Sequence, residues 1–292
     1  MLKIAFICVH NSCRSQIAEA LCRKYASDVF EPYSAGTELR EINKDAIRLM
    51  KEIYDIDMEE NQHSKLMKDI PNVDLMVSMG CGVSCPIIGR KFDEDLKLED
   101  PTGKGDDKFK EIISEIEKDI IELREKYKKY QKVEHTFEPV YDENSKVLIL
   151  GSFPSVKSRE QNFYYGHPRN RFWQVISSLT ETELPTTIEE KKEMLLKNNI
   201  AIWDVIKSCV IKGSSDSSIK NVVVNDIAEV VKNSKIDRIF ANGDKSFKLY
   251  NKYCSDVGIE IEKLPSTSPA NAAYSIEKLE EKWKEILKIT KL

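Results

Sequence analysis

The sequence predicts an α/β protein of two three-layer α/β/α domains, each built on a central, mainly parallel sheet. Three observations carry this reading. Apolar runs of strand length alternate with amphipathic stretches of helix length along most of the chain. The alternation pauses at the polar run Lys126-Tyr127-Lys128-Lys129-Tyr130-Gln131-Lys132, whose plainest meaning is a solvated helix end and linker. The 292 residues are about twice the ~150 of an average domain. Residues 1–132 are therefore expected to form one domain and residues 133–292 a second, with no internal repeat relating them.

In the first half, residues 2–8 read as a buried strand, 15–25 as a helix and 29–33 as a second short strand. Residues 43–53 are helical and 73–79 form an apolar strand. Residues 107–128 form a long amphipathic helix, with Ile112, Ile113, Ile116, Ile120 and Leu123 on one stripe. In the second half, residues 146–150 are a buried strand, 170–179 a helix, 236–241 a strand and 276–287 a terminal helix.

Composition narrows the function classes. Hydrophobic residues make up 41% and charged residues 32%, enough for two cores and too polar for a membrane protein. No apolar run reaches the ~18 residues of a spanning helix. The 45 Lys+Arg and 49 Asp+Glu leave a net charge of −4, which excludes a globally basic nucleic-acid coat but not a local groove. Residues 133–292 are neutral, with 23 charges of each sign. The opening Met1-Leu2-Lys3-Ile4-Ala5-Phe6-Ile7-Cys8-Val9 is short and runs into polar His10-Asn11-Ser12, so it is expected to be a strand and not a targeting segment. The protein is expected to be cytoplasmic and monomeric, with no membrane partner. Its seven cysteines are then reduced thiols with no disulfide framework.

Cys8-Val9-His10-Asn11-Ser12-Cys13-Arg14-Ser15 lies between a strand and a helix. A loop in that place turns the backbone N–H groups of Val9, His10, Asn11, Ser12 and Cys13 inward, and the helix N-terminus adds positive potential. The same field favours a nucleophilic Cys8 thiolate. Arg14 offers a planar clamp for a tetrahedral oxyanion, Ser15 a hydroxyl for the thiolate, and Asn11 a brace for the loop. Cys13 is expected to pack beneath it. Asp100, before Pro101, is a candidate acid for the leaving oxygen.

Cys81 and Cys85, in Met79-Gly80-Cys81-Gly82-Val83-Ser84-Cys85-Pro86, follow a strand end, where open α/β sheets bind ligands. A phosphatase needs one cysteine, because water completes its cycle. A reductase needs a second thiol to displace the Cys8 adduct and a third to resolve the disulfide. Half of a zinc site is the other reading, and the chain has no second Cys/His couple at ligand spacing.

With Tyr33-Ser34-Ala35-Gly36-Thr37-Glu38 and Ile42-Asn43-Lys44-Asp45-Ala46-Ile47, these motifs resemble the thioredoxin-coupled arsenate reductases, which share the low-molecular-weight tyrosine phosphatase fold. Thr102 follows the Asp-Pro pair where the phosphatases typically carry Tyr. His10 departs from a phosphatase Gly, and Lys65 stands where some relatives place an acidic residue linked to potassium, so no potassium site is assigned. The resemblance implies a relay. Cys8 attacks arsenate while Asp100 protonates the departing oxygen; Cys81 then releases arsenite and leaves a Cys8–Cys81 disulfide. Cys85 converts that to Cys81–Cys85, which thioredoxin, the electron donor, reduces. No tightly bound cofactor or metal is implied.

The second half offers Gly151-Ser152-Phe153-Pro154-Ser155 after a strand, and Leu264-Pro265-Ser266-Thr267-Ser268-Pro269-Ala270-Asn271 before the last helix. Between them lie Tyr164-Tyr165-Gly166-His167-Pro168-Arg169-Asn170-Arg171-Phe172-Trp173 and Gly213-Ser214-Ser215-Asp216-Ser217-Ser218. Hydroxylated loops such as Ser152, Ser155, Ser266 and Ser268 suit a sugar-phosphate backbone. An aromatic segment with Tyr165, His167 and Asn170 suits a flipped base. Each also has a bland meaning as a turn or as core.

These blocks, in order with Trp203-Asp204-Val205, resemble the hypoxanthine-DNA glycosylase branch of the uracil-DNA glycosylase superfamily. Phe153 occupies the place where most of the superfamily carries a water-positioning Asp or Asn. The branch implies that Asn170 takes that role, with Asn242 a weaker base-binding candidate. The expected substrate is DNA containing deoxyinosine, hydrolysed without a lyase step. The alternatives are a tyrosine phosphatase in the first half, and a uracil-type glycosylase or a non-catalytic DNA-binding module in the second.

Overall fold

The computed structural model describes residues 1–80 and 91–290. It divides into two compact units, Met1–Lys132 and Val133–Leu292, and no described helix is long and apolar enough to cross a membrane.

The first unit runs β1 (Leu2–Ile7), α1 (Arg14–Tyr25), β2 (Phe30–Ala35), α2 (Lys44–Tyr54), α3 (Met58–Asn61), β3 (Leu75–Ser78), β4 (Glu94–Asp95) and α4 (Asp106–Tyr127). Its strands pair in the order β2-β1-β3-β4, all parallel. The unbroken apolar run of β1 suits the interior place it takes, because helices cover both faces of a parallel sheet. Ala5 and Ile7 meet Ala35, Val73 and Met76 in one buried cluster. The isoleucine stripe of α4 is buried along its length together with Phe109 and Tyr127, and α4 packs against α1. Asn43 caps α2 by accepting from Asp45 and Ala46 N–H at 2.8 and 3.2 Å.

The second unit opens within β5 (Gln131–Glu134) and continues through β6 (Val147–Gly151), α5 (Val156–Gln161), α6 (Phe172–Thr180), α7 (Ile188–Lys197), β7 (Ile200–Asp204), β8 (Ile206–Ile211) and β9 (Lys220–Val224). It ends with α8 (Ile227–Lys232), β10 (Arg238–Asn242), α9 (Asp244–Tyr253), β11 (Ile261–Leu264), α10 (Ile276–Trp283) and α11 (Leu287–Thr290). The main sheet, β11-β10-β6-β7, is parallel throughout. Alternation along β6 builds its two cores. Val147 and Ile149 join a cluster with Phe172, Phe240 and Trp283, while Leu148 and Leu150 join Ile239, Ala241 and Val205 on the other face. Trp283 is fully buried and donates its indole N–H to the Pro265 carbonyl at 2.9 Å. Truncating it to alanine should cost about 3–5 kcal/mol.

Two features depart from the expectations. A second sheet, β5-β8-β9, with β8 and β9 antiparallel, joins the predicted parallel one. The terminal helix breaks at Trp283, where a 3-10 turn over Lys284–Ile286 separates α10 from α11.

Candidate active sites

In the first unit, residues 8–13 link the carboxyl end of β1 to α1. Cys8 Sγ lies 3.0 Å from Ser15 Oγ and accepts a hydrogen bond from the Asn11 N–H at 3.1 Å. Donors converging on the sulfur favour its thiolate form. Asn11 is wholly buried with a left-handed φ of 47°. Its Nδ2 donates to Ser15 Oγ at 3.0 Å, and its Oδ1 accepts from Lys65 N–H at 2.7 Å and Gln16 Nε2 at 2.9 Å. One side chain thus orients Ser15 and ties the loop to the segment at residue 65.

The turn after β2 braces the loop from outside. Thr37 and Glu38 N–H both donate to the Val9 carbonyl, at 2.8 and 2.9 Å, and Asn43 N–H donates to the Ser12 carbonyl at 2.7 Å. Gly36 leaves no space for a side chain there: a Cβ would stand 2.6 Å from the Val9 oxygen and 2.8 Å from the Asn11 nitrogen. His10 Nε2 lies 3.2 Å from the Glu38 carboxylate. Burial pushes the Cys13 thiol up to about 12, which keeps it protonated at neutral pH.

Arg14 and Asp100 meet at this loop. The Arg14 guanidinium donates to the Met79 and Leu98 carbonyls at 3.1 and 2.6 Å and lies 3.5 Å from Asp100 Oδ2. Burial alone would raise the Asp100 carboxyl. The Thr102 N–H and hydroxyl, with the charges of Arg14 and Lys104, outweigh it and hold the group below the usual carboxylate range. Asp100 is therefore ionised at neutral pH. Cys81 and Cys85 lie outside the described residues.

In the second unit, the ends of β6, β7 and β10 and the loop after β11 enclose a cavity of about 140 Å³. Of the residues singled out in the sequence, Ser152, Phe153, Ser155, Tyr165, Asn170, Asn242, Ser266 and Ser268 line it, and His167 does not. His167 Nδ1 instead accepts from the Arg169 N–H at 3.1 Å. Ser152 donates to Asp216 Oδ1 at 3.1 Å, and Ser155 caps α5 by accepting from Ser158 N–H at 3.2 Å. Asn170 Oδ1 accepts from the Phe172 N–H at 3.0 Å, leaving its second lone pair available. Asn242 is bound at both ends of its amide by Thr267: Nδ2 donates to Oγ1 at 2.9 Å and Oδ1 accepts from the N–H at 2.9 Å. Ser266 and Ser268 each accept from a backbone N–H two residues on, at 3.2 and 3.3 Å.

Tyr165 stacks on Phe172 with ring centroids 3.9 Å apart. Its hydroxyl is buried and makes no hydrogen bond to any described group. Burial first, and then the Asp204 charge, hold that hydroxyl protonated; the nearby Asn242 amide pulls weakly the other way without hydrogen-bond geometry.

Three residues in or beside the cavity carried no assigned role in the sequence. Asp204, at the end of β7, lines the cavity and binds His135 Nε2 through Oδ2 at 2.9 Å, both side chains being buried. Asp216 lines it too, its carboxyl pushed up by burial against the opposing Ser152 bond and Lys245 charge. Arg171 holds the loop after β11 through the Thr267, Ser268, Asn271 and Tyr274 carbonyls.

Residues 3–133 match the low molecular weight phosphotyrosine protein phosphatase family, and residues 138–289 match the uracil DNA glycosylase superfamily. A hypoxanthine DNA glycosylase of Methanosarcina acetivorans is 36% identical over 160 residues, 53% of this chain and 99% of that protein. Arsenate reductase 1 of Staphylococcus haemolyticus is 36% identical over 126 residues, 42% of this chain and 94% of that protein. An arsenate reductase of Staphylococcus xylosus is 39% identical over 118 residues, 39% of this chain and 88% of that protein.

The chain belongs to both families.

It joins an arsenate reductase domain of the low-molecular-weight phosphatase fold to a hypoxanthine DNA glycosylase domain of the uracil DNA glycosylase superfamily. Both sets of relatives are enzymes by name. In the arsenate reductase domain the Cys8 loop sits at the carboxyl end of an interior strand; in the glycosylase domain the cavity sits at the equivalent ends of β6, β7 and β10. Open parallel sheets place their sites there. Among the described residues, no group of three or more His, Cys, Asp or Glu is arranged to hold a metal ion.

Proposed function

We propose that the chain is bifunctional: it reduces arsenate to arsenite through Cys8, Cys81 and Cys85, and it hydrolyses hypoxanthine from DNA containing deoxyinosine. The convergence of the Asn11 N–H and the Ser15 hydroxyl on Cys8 Sγ supports the first reading. The thiolate attacks arsenic(V); Asp100, ionised in the free protein, takes the proton of one arsenate hydroxyl and passes it to the hydroxyl that is displaced, which leaves as water. Cys81 attacks the Cys8 sulfur, so the sulfur–arsenic electron pair leaves with arsenic(III). The resulting Cys8–Cys81 disulfide passes to Cys81–Cys85, and thioredoxin supplies the two electrons that reopen it. Cys85→Ser should therefore support one turnover and then stop. Multiple turnover by that variant with thioredoxin present would overturn the relay. A phosphotyrosine assay beside the arsenate assay tests the phosphatase alternative.

The cavity ringed by Ser152, Tyr165, Asn170 and Ser268 supports the second reading. A flipped nucleotide enters it, Asn170 Oδ1 places the attacking water with its remaining lone pair, and the hydroxylated loops face the backbone. Asn170→Ala should lose deoxyinosine cleavage by about 10²-fold or more. Unchanged cleavage would remove Asn170 from that role, and no cleavage by the unaltered protein would favour the non-catalytic DNA-binding alternative.

A further inference from the structure

In the glycosylase-domain cavity, a carboxylate oxygen of Asp204 and the hydroxyl of Tyr165 both approach Gly151. Asp204 Oδ2 is engaged by His135 at 2.9 Å, which leaves Oδ1 facing Gly151, its register partner across β6 and β7. A Cβ at Gly151 would lie 2.0 Å from that oxygen and 3.5 Å from the Tyr165 hydroxyl. The absence of a side chain at Gly151 is thus what admits the carboxylate, and it brings the carboxylate and the phenol to one spot. The phenol is unpartnered. A buried hydroxyl left without a partner is destabilising, so its presence points to a ligand that completes it.

The two atoms have opposite polarity. The carboxylate oxygen only accepts, and the phenol is the donor beside it. We infer that Tyr165 and Asp204 read the Watson–Crick edge of the bound base, selecting a ring carbonyl next to a ring N–H, with the hydroxyl donating to the carbonyl and Oδ1 accepting from the N–H. Hypoxanthine presents that edge. Adenine presents the reverse, an amino donor beside a bare ring nitrogen, and would set a lone pair against the carboxylate. The site would discriminate the deaminated base from its parent by mismatched polarity, a stronger device than pocket size. His135 is then a positioning residue that fixes which carboxylate oxygen is offered.

This reading rests on the proposed base-excision site, and the test separates the two. Binding of free hypoxanthine and free adenine to the full chain is measured by titration, alongside cleavage of oligonucleotides carrying deoxyinosine or deoxyadenosine. The unaltered protein should bind hypoxanthine in clear preference to adenine. Tyr165→Phe, which removes no protein hydrogen bond, should melt no lower and reduce that preference by about 10-fold. Asp204→Asn, which keeps a partner for His135 and can turn a donor to the base, should bring the two affinities close together. A purely structural role would weaken both bases equally and leave their ratio fixed. A fixed ratio in both variants, or no preference in the unaltered protein, overturns the inference. Preference without any cleavage overturns the hydrolase reading and leaves this one standing.

Discussion

Arg171 and Thr267 are joined twice: the Arg171 N–H donates to the Thr267 carbonyl at 3.2 Å, and its Nε reaches the same oxygen at 3.4 Å. The rest of the guanidinium extends the tie to the Ser268 and Asn271 carbonyls at 2.7 and 3.0 Å, and to that of Tyr274. The residue at the start of α6 therefore shapes the loop after β11. The same loop is held from its other side, where Thr267 grips the Asn242 amide.

Arg171→Lys keeps the charge but loses the planar fork, and an ammonium cannot reach these four carbonyls together. Hydrogen bonds to charged groups contribute about 1.5–3 kcal/mol each, so the variant should melt lower. It should also cleave deoxyinosine oligonucleotides about 10-fold less well, with arsenate reduction in the same preparation unchanged.

Gly36→Ala tests the outer brace of the anion loop. Its Cβ would meet the Val9 oxygen at 2.6 Å and the Asn11 nitrogen at 2.8 Å, both backbone atoms. The loop must shift, and displacements near 1 Å in a reacting constellation cost about 10²-fold in rate. Arsenate turnover should fall by that order while base excision is retained.

Asn11 combines a left-handed backbone with three side-chain bonds. Asn11→Gly keeps the backbone accessible and loses the bonds; Asn11→Ala loses both. Each should abolish arsenate reduction, and the alanine variant should be less stable than the glycine variant by about 1 kcal/mol. Calorimetric melting of the transition that belongs to the first unit measures the difference.

Asp119 gives a pH signature on α4. Burial, and then the neighbouring Glu122 and Glu115, push its carboxyl from 3.8 to about 6. Between those values the unfolded chain releases the proton that the folded chain keeps, so stability falls as pH rises, and the loss is complete above 6. Asp119→Asn should stabilise the protein at pH 7 by about 1 kcal/mol, after allowance for solvent screening, and leave it unchanged at pH 3. Denaturant midpoints at the two pH values check this.

The parts legible in the sequence are those with local signals. The run from Leu2 to Ile7, the helical stretch over residues 43–53 and the stripe from Ile112 to Leu123 each declare their element within a dozen residues. The Cys8 loop is legible for the same reason, since Cys8, Asn11 and Ser15 meet within one turn. The His135–Asp204 pair of the second unit has no such signal. His135 and Asp204 are 69 positions apart, and an acid in Trp203-Asp204-Val205 looks the same in sequence whether it faces solvent or a pocket. Arg171 reads as one basic residue in an aromatic stretch until the fold brings the loop after β11 against it. The β8–β9 pair was equally hidden: Val222, Val223 and Val224 form a short apolar run that periodicity alone assigns to neither sheet.

The four cysteines Cys13, Cys22, Cys209 and Cys254 are all buried, and burial pushes their thiols to about 12, 12, 11 and 11. At neutral pH an electrophile or disulfide finds almost no thiolate among them. Of the seven cysteines in the sequence, three remain: Cys8, Cys81 and Cys85. A rapid alkylation of the native chain at neutral pH should therefore leave Cys13, Cys22, Cys209 and Cys254 unlabelled, so that label taken up reports on the three thiols proposed for the relay.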